Sequence, residues 1–119
     1  MFDEEKRRFT RIAYKCRGFF TSHGQAFPVT IQDLSLKGVQ AETRRDTGIG
    51  VNTRGNLVIC ISDADNISMD VKVVRIDGLK LGMYCQRIDL ESMNILKKVF
   101  SLNIKDHNLL SRNLEELNR

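Results

Sequence analysis

The sequence contains no apolar run long enough to cross a membrane as a helix, so we expect no membrane span. The N-terminal MFDEEKRR also lacks the apolar stretch that is typical of a signal peptide. We therefore predict a cytoplasmic protein. The 119 residues are 41% hydrophobic and 29% charged, which is typical of one soluble globular domain with its own hydrophobic core.

Cysteine and histidine are scarce. Three cysteines, an odd number without a CxxC pair, argue against a disulfide framework: Cys16, Cys60 and Cys85. His23 and His107 have no companions at ligand spacing, so we predict no metal site. Ser35 has no histidine or lysine placed to activate it, and neither a carboxylate pair nor a phosphate-binding glycine loop stands out. We predict that the protein is not an enzyme and needs no cofactor.

Tryptophan is absent, and only 7% of the residues are aromatic. The net charge of +4 permits an anionic partner. A barrel that binds single-stranded nucleic acid usually stacks the bases on exposed aromatic side chains, and no such ladder is evident here. Nucleic-acid binding is therefore an alternative that we do not favour.

Alternating apolar and polar residues predict a mainly β protein. The clearest period of two runs over residues 67–76. Similar runs bounded by turn residues predict five further strands, at 11–21, 27–34, 39–43, 54–62 and 79–88. Six short strands of this kind suggest a small antiparallel barrel or sandwich.

Helical spacing begins only near the end of the chain. Asp89 is a good N-cap for a helix with Glu91 in its first turn. The apolar stripe of this helix includes Leu96, Val99 and Phe100. A second helical segment is predicted from Asp106, with its leucines on one face at 110, 114 and 117. We therefore expect one or two helical segments that cover the strands.

The first candidate site is basic and lies near the N-terminus. Four cations stand within positions 6–11: Lys6, Arg7, Arg8 and Arg11. Residues 1–10 hold few apolar side chains, so we expect a flexible arm. An arginine fork matches the O6 and N7 atoms of guanine with two hydrogen bonds. Taken alone, such a charge run is more often a solvated tail.

The second candidate site is the stretch DLSLKG at 33–38. Asp33 and Ser35 are two apart, so on an extended segment their side chains point the same way. A carboxylate accepts hydrogen bonds, which suits the N1 and N2 donors of guanine. Gly38 lets a flat ligand or a neighbouring strand come close. The same residues are also ordinary turn formers, which is the structural alternative.

In this order and at this separation, the two stretches resemble the PilZ domain, a bacterial receptor for cyclic di-GMP. Arg7 and Arg11 match the family's RxxxR motif, and Asp33, Ser35 and Gly38 match its [D/N]xSxxG motif. The resemblance continues through LGMYCQRIDLES and LNIKDHNLLSRNLEEL and so covers nearly the whole chain.

The resemblance implies a six-stranded antiparallel β-barrel with a C-terminal helix. Residues 1–10 would be the arm that carries RxxxR, and residues 11–119 would form the barrel and helix. The two arginines of RxxxR would contact guanine and phosphate, and Asp33 and Ser35 would contact a guanine. Gly38 would keep the strand open for the ligand.

The resemblance also implies roles for two further cations. Arg8, inside the RxxxR motif, would reach a phosphate or a base. Lys6 precedes the motif, where the family's residue influences whether one cyclic di-GMP or a stacked pair binds. The implied function is that of a receptor whose arm and surface change on ligand binding, which signals to an unidentified downstream protein in motility, biofilm formation or a similar output. The alternative is a PilZ-type interaction module that works without ligand.

Overall fold

A computed structural model describes residues 11–103 of the chain. These residues form six β-strands and one α-helix. In chain order they are β1 (Ile12–Ser22), β2 (Gln25–Leu34), β3 (Gly38–Thr43), β4 (Arg54–Cys60), β5 (Asn66–Asp77), β6 (Lys80–Ile88) and α1 (Leu90–Asn103). Each predicted strand and the first predicted helix are therefore confirmed, with small shifts at their ends. The predicted arm and the predicted second helix lie outside the described residues.

The strands close into a barrel in the order β1-β2-β3-β6-β5-β4, and every neighbouring pair is antiparallel. Closure gives every strand two hydrogen-bonded neighbours and leaves no open sheet edge. The prediction of a six-stranded antiparallel barrel with a C-terminal helix is confirmed.

The apolar residues that alternate along the strands point inward and form the core. Along β5, Ile67, Met69, Val71 and Val73 are buried, whereas the residues between them are partly or fully exposed. The same inward row continues around the barrel and includes Phe20, Ile31, Leu57 and Ile59. Helix α1 contributes Leu96, Val99 and Phe100 to this core and contacts β5 and β1.

Strand β2 departs from strict alternation near its end. Ile31 of β2 pairs with Ala41, but Asp33 pairs with the adjacent Gln40, so Gln32 is an extra residue relative to β3. A β-bulge of this kind reverses which face the following side chains point to. Leu34 is buried as a result, and Asp33 is kept out of the barrel core.

The cysteines carry free thiols that are only partly buried. Burial, with a smaller contribution from neighbouring Cys60, raises the pKa of Cys16 to about 11. Burial likewise raises the pKa of Cys85. These two thiols therefore stay protonated near neutral pH and act as apolar groups.

Two kinds of feature were not found within residues 11–103, a helix that could cross a membrane and a cluster of metal ligands. Within residues 11–103 the single helix, α1, is too short and too polar to span a bilayer. The same residues bring together no group of three histidine, cysteine, aspartate or glutamate side chains that could hold a metal ion.

Asp89 caps helix α1, as the sequence predicts. One carboxylate oxygen, Oδ2, accepts a hydrogen bond of 3.1 Å from the backbone N–H of Ser92. The Ser92 Oγ accepts a 3.0 Å bond from the Ser68 N–H, which connects the helix start to β5. Hydrogen bonds from the Ser92 side chain, then from its backbone, hold the pKa of Asp89 below its ordinary value of 3.8.

We predict that Asp89→Ala lowers the melting temperature by a few degrees at pH 7, because the first turn loses its cap. The folded state lowers the pKa of this carboxyl, so its stabilisation is present above pH 3.8 and is lost as the pH falls below that value. Thermal unfolding followed by circular dichroism should therefore show a wild-type advantage that shrinks in acid. Asp63→Ala, which removes an exposed carboxyl in the β4–β5 turn, is the matched control. An equal difference at pH 7 and pH 2 would contradict the capping role.

Candidate functional site

The pairing of β1 with β2 brings the ends of the two sequence motifs together. Ile12 pairs with Leu34, and Ala13 pairs with Asp33. Arg11 immediately precedes β1, and Ser35 immediately follows β2. The two motifs thus approach each other at one end of the barrel, although they are more than twenty residues apart in sequence.

Asp33 is the unusual residue of this region. Its side chain is 26% exposed, but the oxygen Oδ1 is buried and has no hydrogen-bond partner among residues 11–103. The Nη1 atom of Arg11 lies 3.9 Å from this oxygen, which is too long for a hydrogen bond. Arg11 is itself 60% exposed, so the ion pair is weak and easily rearranged.

A buried acceptor without a partner is costly. Native proteins satisfy most buried polar atoms, and leaving one unpaired costs roughly 1–3 kcal/mol. Asp33 Oδ1 is the one such side-chain atom in the part of the chain that the structure describes. The site therefore holds an acceptor that the described barrel leaves unused.

Ser35 is used within its own turn. Its Oγ accepts hydrogen bonds from the N–H groups of Lys37, at 3.2 Å, and Gly38, at 3.0 Å. The hydroxyl also lies 3.2 Å from the Gly38 carbonyl oxygen, to which it donates. Its side chain is thus fully hydrogen-bonded, and the residue is 5% exposed. The turn that the sequence offered as the structural alternative is thus present at residues 35–38, and the surroundings of Ser35 differ from those of Asp33, whose Oδ1 has no hydrogen-bond partner among residues 11–103.

Gly38 is required by the neighbouring strand. It pairs with Tyr84 of β6, and a Cβ atom added to it would lie 2.5 Å from the carbonyl oxygen of Met83. Its backbone N–H also bonds to Ser35. Of the two roles that the sequence allows, the close approach of a strand is the one seen here.

The described half of the predicted site therefore consists of Arg11, Asp33, Ser35 and Gly38. Arg7, Arg8 and Lys6 lie outside the described residues. Sequence reasoning did not indicate Gln40 and Gly82, which pair across the sheet next to Asp33. A lone glycine inside a strand pattern was the available signal for Gly82. No sequence signal reveals Gln40, because its place follows from strand pairing.

Comparison with known proteins points to one family. A family model described as the PilZ domain matches residues 5–101. The chain is also similar to the solved PilZ domain with c-di-GMP of YcgR from Escherichia coli, at 18% identity and a TM-score of 0.65. That match covers 82% of this chain and 91% of the other.

Two longer proteins are similar in the same way. The Bacillus subtilis inhibitor of motility, MotI/DgrA, is 13% identical, with a TM-score of 0.68 and coverage of 82% of this chain and 51% of that one. The Escherichia coli YcgR in complex with c-di-GMP is 19% identical, with a TM-score of 0.63 and coverage of 96% and 51%. This chain spans about half the length of both proteins. At these identities the similarity shows a shared fold.

We predict that Gly38→Ala destabilises the barrel by about 1–3 kcal/mol, the usual cost of overpacking, because the new methyl group meets the Met83 carbonyl. Urea unfolding measures the change. Gly82→Ala is the matched control, since a Cβ there meets its nearest atom, the Cβ of Arg75, only at 3.4 Å. Equal stability of the two variants would show that β3 and β6 do not require the glycine.

Proposed function

The chain belongs to the PilZ domain family, and from that premise we propose that it is a receptor for cyclic di-GMP and not an enzyme. The observation that carries the proposal is the buried Oδ1 of Asp33, which has no hydrogen-bond partner among residues 11–103. An unused acceptor beside an exposed arginine suits a ligand that brings its own donors. The solved YcgR structures that resemble this chain contain c-di-GMP, which supports the choice of ligand.

The chemistry of guanine fits the pair. Its N1–H and N2–H groups donate to the carboxylate of Asp33, and its O6 and N7 atoms accept from an arginine fork. A donor reaches the buried Oδ1 only when a side chain near it moves. Arg11 is free to do so, because it is 60% exposed and its contact of 3.9 Å is not a hydrogen bond. On binding, Arg11 turns from Asp33 to the base or phosphate of the ligand.

The proposal extends to the cations before β1. Arg7 and Arg8 contact phosphate or base on the side of the ligand that Asp33 does not reach. Lys6 bears on whether one ligand or a stacked pair is held. Residues 1–10 then lie against the barrel in the bound state, and the altered surface engages a downstream protein.

Ser35 and Gly38 act mainly through the shape of the turn. The three hydrogen bonds of the Ser35 hydroxyl hold residues 35–38 in place directly after Asp33. These bonds also favour one alternative, a PilZ-type interaction module without ligand, because they explain this half of the motif by structure alone. The unpaired oxygen of Asp33 has no such explanation within the described barrel.

We predict that wild-type protein binds cyclic di-GMP at micromolar or lower concentration in titration calorimetry. Arg11→Ala and Asp33→Ala should each weaken binding about tenfold or more, because each removes a charge-assisted hydrogen bond of roughly 1.5–3 kcal/mol. Asp33→Ala should not lower the melting temperature of the ligand-free protein, because it removes an unsatisfied acceptor.

Asp63→Ala is the control for the loss of one carboxylate, and it should bind like wild type. Absence of binding by the wild-type protein would refute the proposed function. If the Asp33→Ala variant binds with unchanged affinity, the ligand site does not lie at this end of the barrel.

A further inference from the structure

A row of outward-facing residues crosses the barrel on the side of β1 and β4. Phe19 of β1 pairs with Pro28 of β2 on one side and with Val58 of β4 on the other. Residues directly opposite each other in a sheet share a face. The neighbours of Phe19 along β1, Gly18 and Phe20, are buried, so Phe19 itself faces outward and is 41% exposed. An exposed aromatic ring thus lies between an exposed proline and a partly buried valine.

One end of this row opens into a pocket of about 400 Å³. Phe27 and Pro28 of β2 line the pocket, and the segment after β3 contributes Arg44 and Arg45 to it. The register places Arg44 here, because it directly follows the last residue of β3 that pairs with β2. Pockets that hold ligand groups usually measure about 300–1,000 Å³. The pocket is therefore large enough for one side chain of a partner.

Three exposed arginines border the row and its pocket: Arg17, Arg44 and Arg45. Arg17 stands two residues before Phe19 and therefore on the same face of β1. Within residues 11–103, the side chains of these three arginines make no ion pair and no hydrogen bond. Together the row, the pocket and these arginines form the Phe19 surface.

Two carboxylates near the Phe19 surface already have partners within the fold. Glu42 accepts a hydrogen bond of 2.6 Å from the side-chain amide of Gln32. One oxygen of Asp46, Oδ1, accepts a 3.0 Å bond from the Gly48 N–H and so shapes the loop after β3. The charges that this surface leaves available to a partner are therefore the positive guanidinium groups.

We infer that the Phe19 surface binds an acidic segment of a partner protein. A large apolar side chain of that segment fills the pocket against Phe27, and carboxylates beside it accept hydrogen bonds from Arg44 and Arg45. The cores of protein interfaces are enriched in aromatic residues and arginine, and the Phe19 surface combines both. Because its unpaired charges are positive, the complementary partner is acidic.

A nucleic acid or an anionic membrane fits the Phe19 surface less well. Nucleic-acid surfaces usually offer several rings on which successive bases stack. Among residues 11–103, Phe19 is the only exposed aromatic residue on the outer faces of β1, β2 and β4. A membrane is flat on the scale of this barrel and would leave the pocket unfilled, whereas a protein segment can insert one side chain.

The Phe19 surface is separate from the proposed site for cyclic di-GMP. Pro28 and Asp33 are five residues apart on β2, which corresponds to roughly 16 Å. Phe19 and Val58 lie farther away still, on the strands that follow β2 around the barrel in the direction opposite to β3. The acidic segment therefore binds with or without cyclic di-GMP, and its binding can be tested independently of the receptor function.

A display library of random peptides tests the inference. Peptides are selected on the wild-type protein without cyclic di-GMP and are depleted on the double variant Arg44→Ala/Arg45→Ala. The retained peptides should be rich in aspartate and glutamate around one large apolar residue. In titration calorimetry, Phe19→Thr and the double variant should each bind the most enriched peptide about tenfold more weakly than wild type. If no peptide is retained, or if the retained peptides are not acidic, the inference is overturned.

Two variants of helix α1 are the matched controls. Leu90→Ala removes an exposed apolar side chain, and Lys97→Ala/Lys98→Ala removes two exposed cations. Both should bind the peptide like wild type. Phe19→Thr keeps a side chain that favours strands, so its melting temperature and its affinity for cyclic di-GMP should equal those of wild type.

Vesicles of anionic lipid and a single-stranded oligonucleotide are titrated in parallel with the peptide. If either binds wild type more tightly than the peptide and loses binding in the Phe19→Thr variant, the acidic protein partner is overturned in favour of that ligand. If the peptide binds as expected but cyclic di-GMP does not, the receptor function alone fails. If cyclic di-GMP binds but Phe19→Thr holds the peptide as tightly as wild type, the Phe19 surface alone fails.

Discussion

The register between β1 and β2 is the constraint on which the candidate site depends. Because Ala13 pairs with Asp33, the residue before β1 and the end of β2 meet at one place. The bulge at Gln32 then decides that Asp33 stays out of the core while Leu34 enters it. A slip of one residue would exchange these two side chains and bury a carboxyl in the barrel. Burying that carboxyl would be costly, so the apolar core of the barrel sets the register of β2. The register in turn sets the position of Asp33 at the site.

The region of the site also contains features that lower the stability of the barrel. Asp33 Oδ1 is buried without a described partner, and Gly82 leaves a strand without a side chain although one would fit. Other features of the described chain follow local rules, such as the Asp89 cap of helix α1. Departures from such rules in natural proteins often mark function. A ligand that satisfies the carboxyl would account for the first of these features.

Much of the fold could be predicted from the sequence. The strict alternation of β5 and the helical stripe of Leu96, Val99 and Phe100 each depend on one local period, which the sequence displays directly. The candidate residues Asp33 and Gly38 were also recognisable, because a motif of fixed spacing contains them. For Ser35 the sequence left a ligand contact and an ordinary turn open, and the hydrogen bonds of its hydroxyl to its own backbone are those of the turn. The bulge before Arg75 was not predictable, because it depends on how β5 pairs with β6.

The central claim is that Asp33 accepts hydrogen bonds from the guanine of cyclic di-GMP. Cyclic di-IMP tests it most directly, because its base lacks the 2-amino donor but is otherwise the same. Affinities of both ligands for wild type and for Asp33→Ala form a double-mutant cycle between protein and ligand. The account predicts that removing the amino group weakens binding to wild type by about tenfold but has little effect on Asp33→Ala. An equal loss in both proteins would contradict the claim.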